Sequence, residues 1–209
     1  MLTGATVLAV VVFFTPLLGV RSVEVVGAAT LSEDKVADTA SIRMGTPMAR
    51  LDEAAIRNRL QRISKIESVR VELSWPSTVT LRISERVPVV FAATDAGIRL
   101  VDAEGVAFET VPRPPGGMPE LRVGRVAPDD PATQAAMTVL MSLSEPVRDQ
   151  VTTVVAETPD NVVLLLTEGR KVEWGSTRLS QRKAAILPPL LTRPGEVYDV
   201  TSPALPTVS

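Results

Sequence analysis

The chain has 209 residues, 45% hydrophobic and 3% aromatic, with a net charge of −2 and neither cysteine nor histidine. Disulfides, thiolate chemistry, His-based triads and zinc sites built on Cys or His are therefore excluded. Arg and Asp/Glu are interspersed without a basic stripe, and aromatics are scarce, so the chain offers neither a nucleic-acid footprint nor a base-stacking platform.

The first element is apolar. Leu2 to Val20 is 19 residues without a charge. As a helix rising about 1.5 Å per residue it spans about 28 Å, close to the roughly 30 Å hydrocarbon core. The run is long, no A-x-A-like site follows it and no basic region precedes it, which favours an uncleaved single-span anchor over a signal peptide. The positive-inside rule finds no Lys or Arg before the run, and Arg21 follows it.

Ser22 to Val26 reads as a short strand stopped by Gly27. Ser32 is placed to cap a helix, with Glu33 and Asp34 in its first turn, where the dipole favours anions. Gly45-Thr46-Pro47 breaks the chain, and a second helix begins at about Asp52. Its Ala55, Ile56, Leu60 and Ile63 recur at helical spacing, and Arg57, Arg59 and Arg62 read as its solvated face. Val69, Val71 and Leu73 then alternate with Arg70, Glu72 and Ser74. Trp75-Pro76 turns the chain, and Val79, Leu81 and Ile83 return it. The order is β-α-α-β-β, two helices over one face of a three-stranded sheet.

On these residues the chain resembles the FtsQ/DivIB family of cell-division proteins. "VRSVEVVGAATLSEDKV" is similar to the V-x-V-x-G opening of a POTRA domain. "VRVELSWPSTVTLRISERVPVV" resembles that domain's last hairpin and exit in the family, with Trp75, Pro76, Glu85, Arg86 and Pro88 as structural motif residues.

After Pro88 come short strands separated by Gly97 and by the D-A-E-G turn at 102–105, where Asp102 and Glu104 serve a turn rather than an acid–base pair. Pro112 to Pro119 is a surface loop. Asp130-Pro131 starts a helix with Ala135, Ala136, Val139, Leu140 and Leu143 on its apolar side. Val151–Ala156, Val162–Thr167 and Lys171–Trp174 read as strands. The continuous apolar run Val162–Leu166 predicts a strand covered on both faces. A helical pattern from Ser176 is expected to end or kink at Pro188-Pro189. It contains Ser180 and Lys183 in an S-x-x-K spacing without the S-D-N or K-T-G partners that serine–lysine chemistry uses. Glu196 to Thr201 reads as a last strand before a Pro-rich tail.

The segments "GIRLVDAEGVAF", "MPEL", "KVEWG", "KAAILPPLL" and "VYDVTSP" extend the resemblance across the β-domain of the family. It implies an α+β chain: an anchor at 1–20, a POTRA domain at 21–88, a mainly antiparallel β-domain with flanking helices at 89–201 and a flexible tail at 202–209. The basic cytoplasmic tail of the family is missing before Leu2. The resemblance further implies a single-pass protein of the cytoplasmic membrane at the division septum, N-terminus inside and bulk outside. Such a protein has no enzymatic activity and no cofactor. Its partners are lipid around the anchor, FtsB and FtsL, and, directly or through these, the septal synthase pair FtsW/FtsI.

An edge strand carries unpaired N–H and C=O groups that a partner strand can complete. Glu196, Val197, Tyr198, Asp199, Val200 and Thr201 are the expected docking edge, with Tyr198 and Val200 on one side and Val197, Asp199 and Thr201 on the other. A second functional class, a membrane-anchored POTRA chaperone-like protein in secretion or outer-membrane assembly, predicts repeated POTRA units or a C-terminal barrel.

Overall fold

A computed structural model of the chain describes residues 18 to 209, Ala96 excepted, so most of the expected anchor lies outside the described residues. No helix among the described residues is long and apolar enough to cross a membrane. The chain divides into two compact units between Arg86 and Val87.

In the first unit, β1 (Ser22–Val26), α1 (Glu33–Ala40), α2 (Glu53–Leu60), β2 (Ile66–Ser74) and β3 (Thr78–Glu85) follow one another, with a short 3-10 turn at Met48–Arg50 before α2. The sheet order is β1-β3-β2. β2 and β3 form the antiparallel hairpin that their alternation predicts, while β1 lies parallel to β3 from Ser22–Thr78 to Val26–Arg82. Val79, Leu81 and Ile83 point into the core shared with Val36, Ala40, Ile56 and Leu60 of the helices. Asp52 caps α2 by accepting from Ala55 N–H at 2.9 Å. Ser32 precedes α1 as expected but makes no side-chain cap bond. The loop just before it is held from outside instead, by Glu85. On the Arg-rich helix face, Arg59 is engaged, donating through Nε and a terminal nitrogen to the Ala40 carbonyl at the end of α1.

The second unit is built on one nine-stranded sheet. Its strands are β4 (Val90–Thr94), β5 (Gly97–Val101), β6 (Ala107–Val111), β7 (Glu120–Val123), β8 (Val151–Thr158), β9 (Asn161–Leu166), β10 (Lys171–Gly175), β11 (Val197–Asp199) and β12 (Thr207–Val208). Their order is β12-β11-β10-β9-β8-β7-β4-β5-β6. Helices α3 (Pro131–Ser142), α4 (Glu145–Arg148) and α5 (Ser180–Leu191) complete the unit. Asp130 caps α3 through Thr133 N–H, with Pro131 in the first turn. Asp102 accepts from the N–H groups of Glu104 and Val106 and so closes the D-A-E-G turn.

Two expectations are corrected. In β9, Val162, Leu164 and Leu166 are buried while Val163 and Leu165 are only half-buried, so helices cover one face rather than both. The helix expected to end or kink at Pro188-Pro189 does not end there: α5 continues through both prolines to Leu191. Burial of Leu187 and Leu190 against the core offsets the two helix bonds that the prolines cannot donate.

Candidate partner-binding edge

The C-terminal side of this sheet is assembled around Trp174. Val172 and Trp174 of β10 are fully buried and alternate with half-exposed Lys171 and Glu173. The Trp174 indole N–H donates to Ser180 Oγ at 3.3 Å, and the Ser180 hydroxyl donates to the Thr177 carbonyl. Lys183, one turn along α5, is 2% exposed; its ammonium donates to the carbonyls of Trp174 (2.8 Å) and Ser176 (2.9 Å). It also stands 5.9 Å from the Trp174 ring centroid. Burial lowers the Lys183 pKa below the ordinary lysine value, and the negative charge of Asp199 partly opposes that shift. Ser180 and Lys183 thus share a helix face, as the S-x-x-K spacing predicts, and each is tied to backbone groups that fix the start of α5. The signal for this role was the spacing itself; the carbonyls that satisfy the lysine are set by the fold.

β11 lies parallel to β10, with Lys171, Val172 and Glu173 opposite Val197, Tyr198 and Asp199. Lys171 N–H donates to Glu196 O, and Val200 N–H donates to Glu173 O. Tyr198 and Val200 are buried on one side, and Val197, Asp199 and Thr201 lie on the other, the predicted alternation. The Tyr198 hydroxyl sits 2.8 Å from Arg193 O and 3.0 Å from Gly195 O, pinning the connection from α5. Asp199 accepts from Thr201 N–H and its hydroxyl, turning the chain out of the strand.

The segment 196–201 is nevertheless not the last strand. Residues expected as a loose tail return, and β12 pairs antiparallel with β11, Tyr198 opposite Val208 and Asp199 opposite Thr207. Glu196 and Val197 both donate to Ser209 O, and Ser209 N–H donates back to Val197 O. The side of β11 away from β10 is therefore occupied. With Val197 and Ser209 a bonded pair, alternation of the ladder turns the N–H and C=O of Val208 outward. Pro206 has no N–H to add. Leu205, just before β12, is 80% exposed.

Of the motif residues in the first unit, Trp75 and Pro76 form the β2–β3 turn, and Trp75 is 52% exposed. Glu85 accepts from the N–H groups of Ala29, Thr30 and Leu31 and from the Thr30 hydroxyl. Arg86 N–H donates to Lys65 O, and its Nε donates to Ser64 O. Pro88 lies in the short link between β3 and β4.

These two units, a small β-α-α-β-β unit and a broad nine-stranded sheet, define a POTRA-bearing protein with an appended β-domain. Residues 18–86 match the family model "POTRA domain, FtsQ-type", and residues 90–200 match "Cell division protein FtsQ/DivIB, C-terminal". The chain belongs to the FtsQ/DivIB family of cell division proteins. It is 41% identical over 198 residues to the cell division protein FtsQ of Mycobacteroides abscessus, covering 95% of this chain and 64% of that one. It is 40% identical over 201 residues to FtsQ of Mycobacterium leprae (96% and 59%) and 35% identical over 204 residues to FtsQ of Streptomyces bingchenggensis (92% and 76%). The chain thus spans about six-tenths of the length of the mycobacterial relatives it matches.

Proposed function

We propose that the chain acts as a membrane-anchored, non-enzymatic scaffold of the division machinery. It binds FtsB and FtsL through the C-terminal edge of the nine-stranded sheet and through them helps regulate the septal synthases FtsW and FtsI. The anchor is the apolar run before the POTRA unit, with the two folded units outside the cytoplasmic membrane.

The observation that carries this reading is the exposed margin formed by Leu205 and β12, backed by the paired strands β10 and β11. A partner strand would pair with the outward groups of Val208, and the stretch Glu196–Thr201 would support the site from one strand behind. Pro206 and the shortness of β12 limit the number of backbone bonds. At about 0.5–1.5 kcal/mol net for each bond, these alone give a weak, reversible contact. Exposed Leu205 then supplies apolar affinity and helps choose the partner.

Co-purification from membranes tests the proposal. The parent chain should bring down FtsB and FtsL, and Leu205→Asp should reduce that recovery without changing the thermal unfolding of the chain. Undiminished recovery with Leu205→Asp combined with Val208→Pro would place the contact elsewhere.

A further inference from the structure

We infer that the end of the POTRA unit around residues 19–22 rests on the bilayer. Trp75 and Met44 sit at the lipid–water interface there, and Arg21 and Arg43 lie among anionic phospholipid headgroups. The inference builds on the anchor proposed above.

The folded unit begins inside the apolar run itself. Gly19 forms an antiparallel bridge with Pro47, and Val20, 1% exposed, is part of the core. Val20 N–H donates to Thr46 O at 2.9 Å, and Gly45 N–H donates to Val20 O at 2.8 Å. No spacer therefore separates the run from the domain. If the residues before 19 cross the hydrocarbon, whatever surrounds residues 19–22 is held at the membrane surface.

Two segments surround that point. One is the loop Ser41 to Pro47, bonded to Val20. The other is the turn Trp75 to Ser77, whose Ser77 carbonyl accepts from the N–H groups of Arg21 and Ser22. The Ser22 and Thr78 hydroxyls, 2.8 Å apart, join the same end of the sheet.

Their composition is distinctive. Among the described residues of this unit the exposed large hydrophobics are Val26, Met44 and Trp75, and the two most exposed, Met44 at 63% and Trp75 at 52%, stand on these two segments. The other tryptophan, Trp174, is fully buried. An indole left half in water is poorly placed for a soluble domain but well placed at a headgroup layer, which takes an apolar ring with a polar N–H. Residues 18–23, 41–47 and 74–78 contain no Asp or Glu, whereas Arg21 and Arg43 are exposed there. Exposed cations on segments without acidic residues are drawn to an anionic leaflet.

The absence of cysteine makes the test clean. The full chain carrying Met44→Cys is labelled with a fluorophore and reconstituted into vesicles of phosphatidylcholine and phosphatidylglycerol containing a headgroup nitroxide lipid. Ser64→Cys, exposed before β2 at the far end of the sheet, is the control. Quenching at residue 44 should exceed that at residue 64 severalfold and should weaken when phosphatidylglycerol is left out. Brominated lipid should quench part of the parent tryptophan emission and none of it in Trp75→Leu.

Equal quenching at 44 and 64, in a chain that resists carbonate extraction, overturns the inference and leaves the anchor standing. A chain that carbonate extracts overturns the anchor and the inference together. Quenching indifferent to phosphatidylglycerol overturns the assignment of the arginines.

Discussion

The carboxylate of Glu85, at the last residue of β3, accepts the N–H of Leu31, 54 residues earlier, at 2.9 Å. The same carboxylate collects the N–H groups of Ala29 and Thr30, so the loop from β1 to α1 is wound around one anion. Burial pushes the Glu85 pKa up, but the Thr30 hydroxyl and then the N–H groups of Leu31, Thr30 and Ala29 outweigh it and bring the value from 4.5 to about 2. The glutamate of the E-R-x-P segment thus joins the end of the POTRA hairpin to the start of its first helix.

The pH dependence follows from the sign of that shift. A carboxylate whose folded pKa is depressed adds stability that is complete above its unfolded value and lost as pH falls through its folded one. The Glu85 contribution should therefore be full above about pH 4.5 and fade toward about pH 2. Glu85→Gln should cost about 1–2 kcal/mol at neutral pH, allowing for solvent screening. Urea titrations of both chains across this range should converge at the acid end. A gap that persists unchanged at low pH would mean that the charge is not what holds the loop.

Gly27 opens that loop with φ of +91°, and a Cβ placed on it would lie 2.2 Å from the carbonyl oxygen of Ile83. The glycine of the V-x-V-x-G motif is thus required twice, for the left-handed backbone and for the close approach to β3. Gly27→Ala should destabilise the chain by about 2 kcal/mol or more. An unfolding midpoint within error of the parent would show that the loop can move aside.

Lys183 is expected to behave as a buried structural cation. Lys183→Met keeps most of the packing but leaves the Trp174 and Ser176 carbonyls without their donor, which should cost about 1–3 kcal/mol. A lysine whose folded pKa is depressed gains relative stability as pH rises from that lowered value to the ordinary 10.5. The parent should therefore improve against Lys183→Met on the alkaline side. Chemical denaturation at neutral and alkaline pH distinguishes this from simple loss of packing, which would give a constant difference.

The parts of the fold that announce themselves in the sequence are those with a period. Val69 to Ile83 alternates over a whole hairpin, and burial follows the alternation except near the turn, where Thr80 is buried as well and Leu73 is only half-buried. Ile56 and Leu60 mark the inner face of α2 in the same way. What stays hidden lacks a period or depends on distant pairing. β12 is two residues long, too short to alternate, and its place beside β11 is set by Ser209 meeting Glu196 and Val197. The full run of α5 past two prolines depends on core contacts that outweigh a local rule. Tyr198 and Val200 alternate as expected, but their strand is sheltered by the chain's own return, so the margin of the sheet on this side is β12.

That displacement of one strand gives opposite outcomes for two proline substitutions. Val200 is fully buried, and its N–H donates inward to Glu173 O at 3.0 Å. Val200→Pro removes that bond and disturbs the Trp174–Tyr198 core, so it should cost about 2–4 kcal/mol and weaken binding only by unfolding the domain. Val208 turns its N–H outward and is only partly buried, so Val208→Pro should lower the unfolding midpoint far less than Val200→Pro, by the loss of its side-chain packing alone. It should weaken capture of the division partner about 3–10-fold, the equivalent of one lost backbone bond. Calorimetric unfolding and partner titration of both variants separate the two effects. A Val208→Pro chain that binds like the parent would exclude β12 as the docking strand. A Val200→Pro chain that stays folded yet fails to bind would restore Glu196–Thr201 as the direct contact, with β12 displaced on binding.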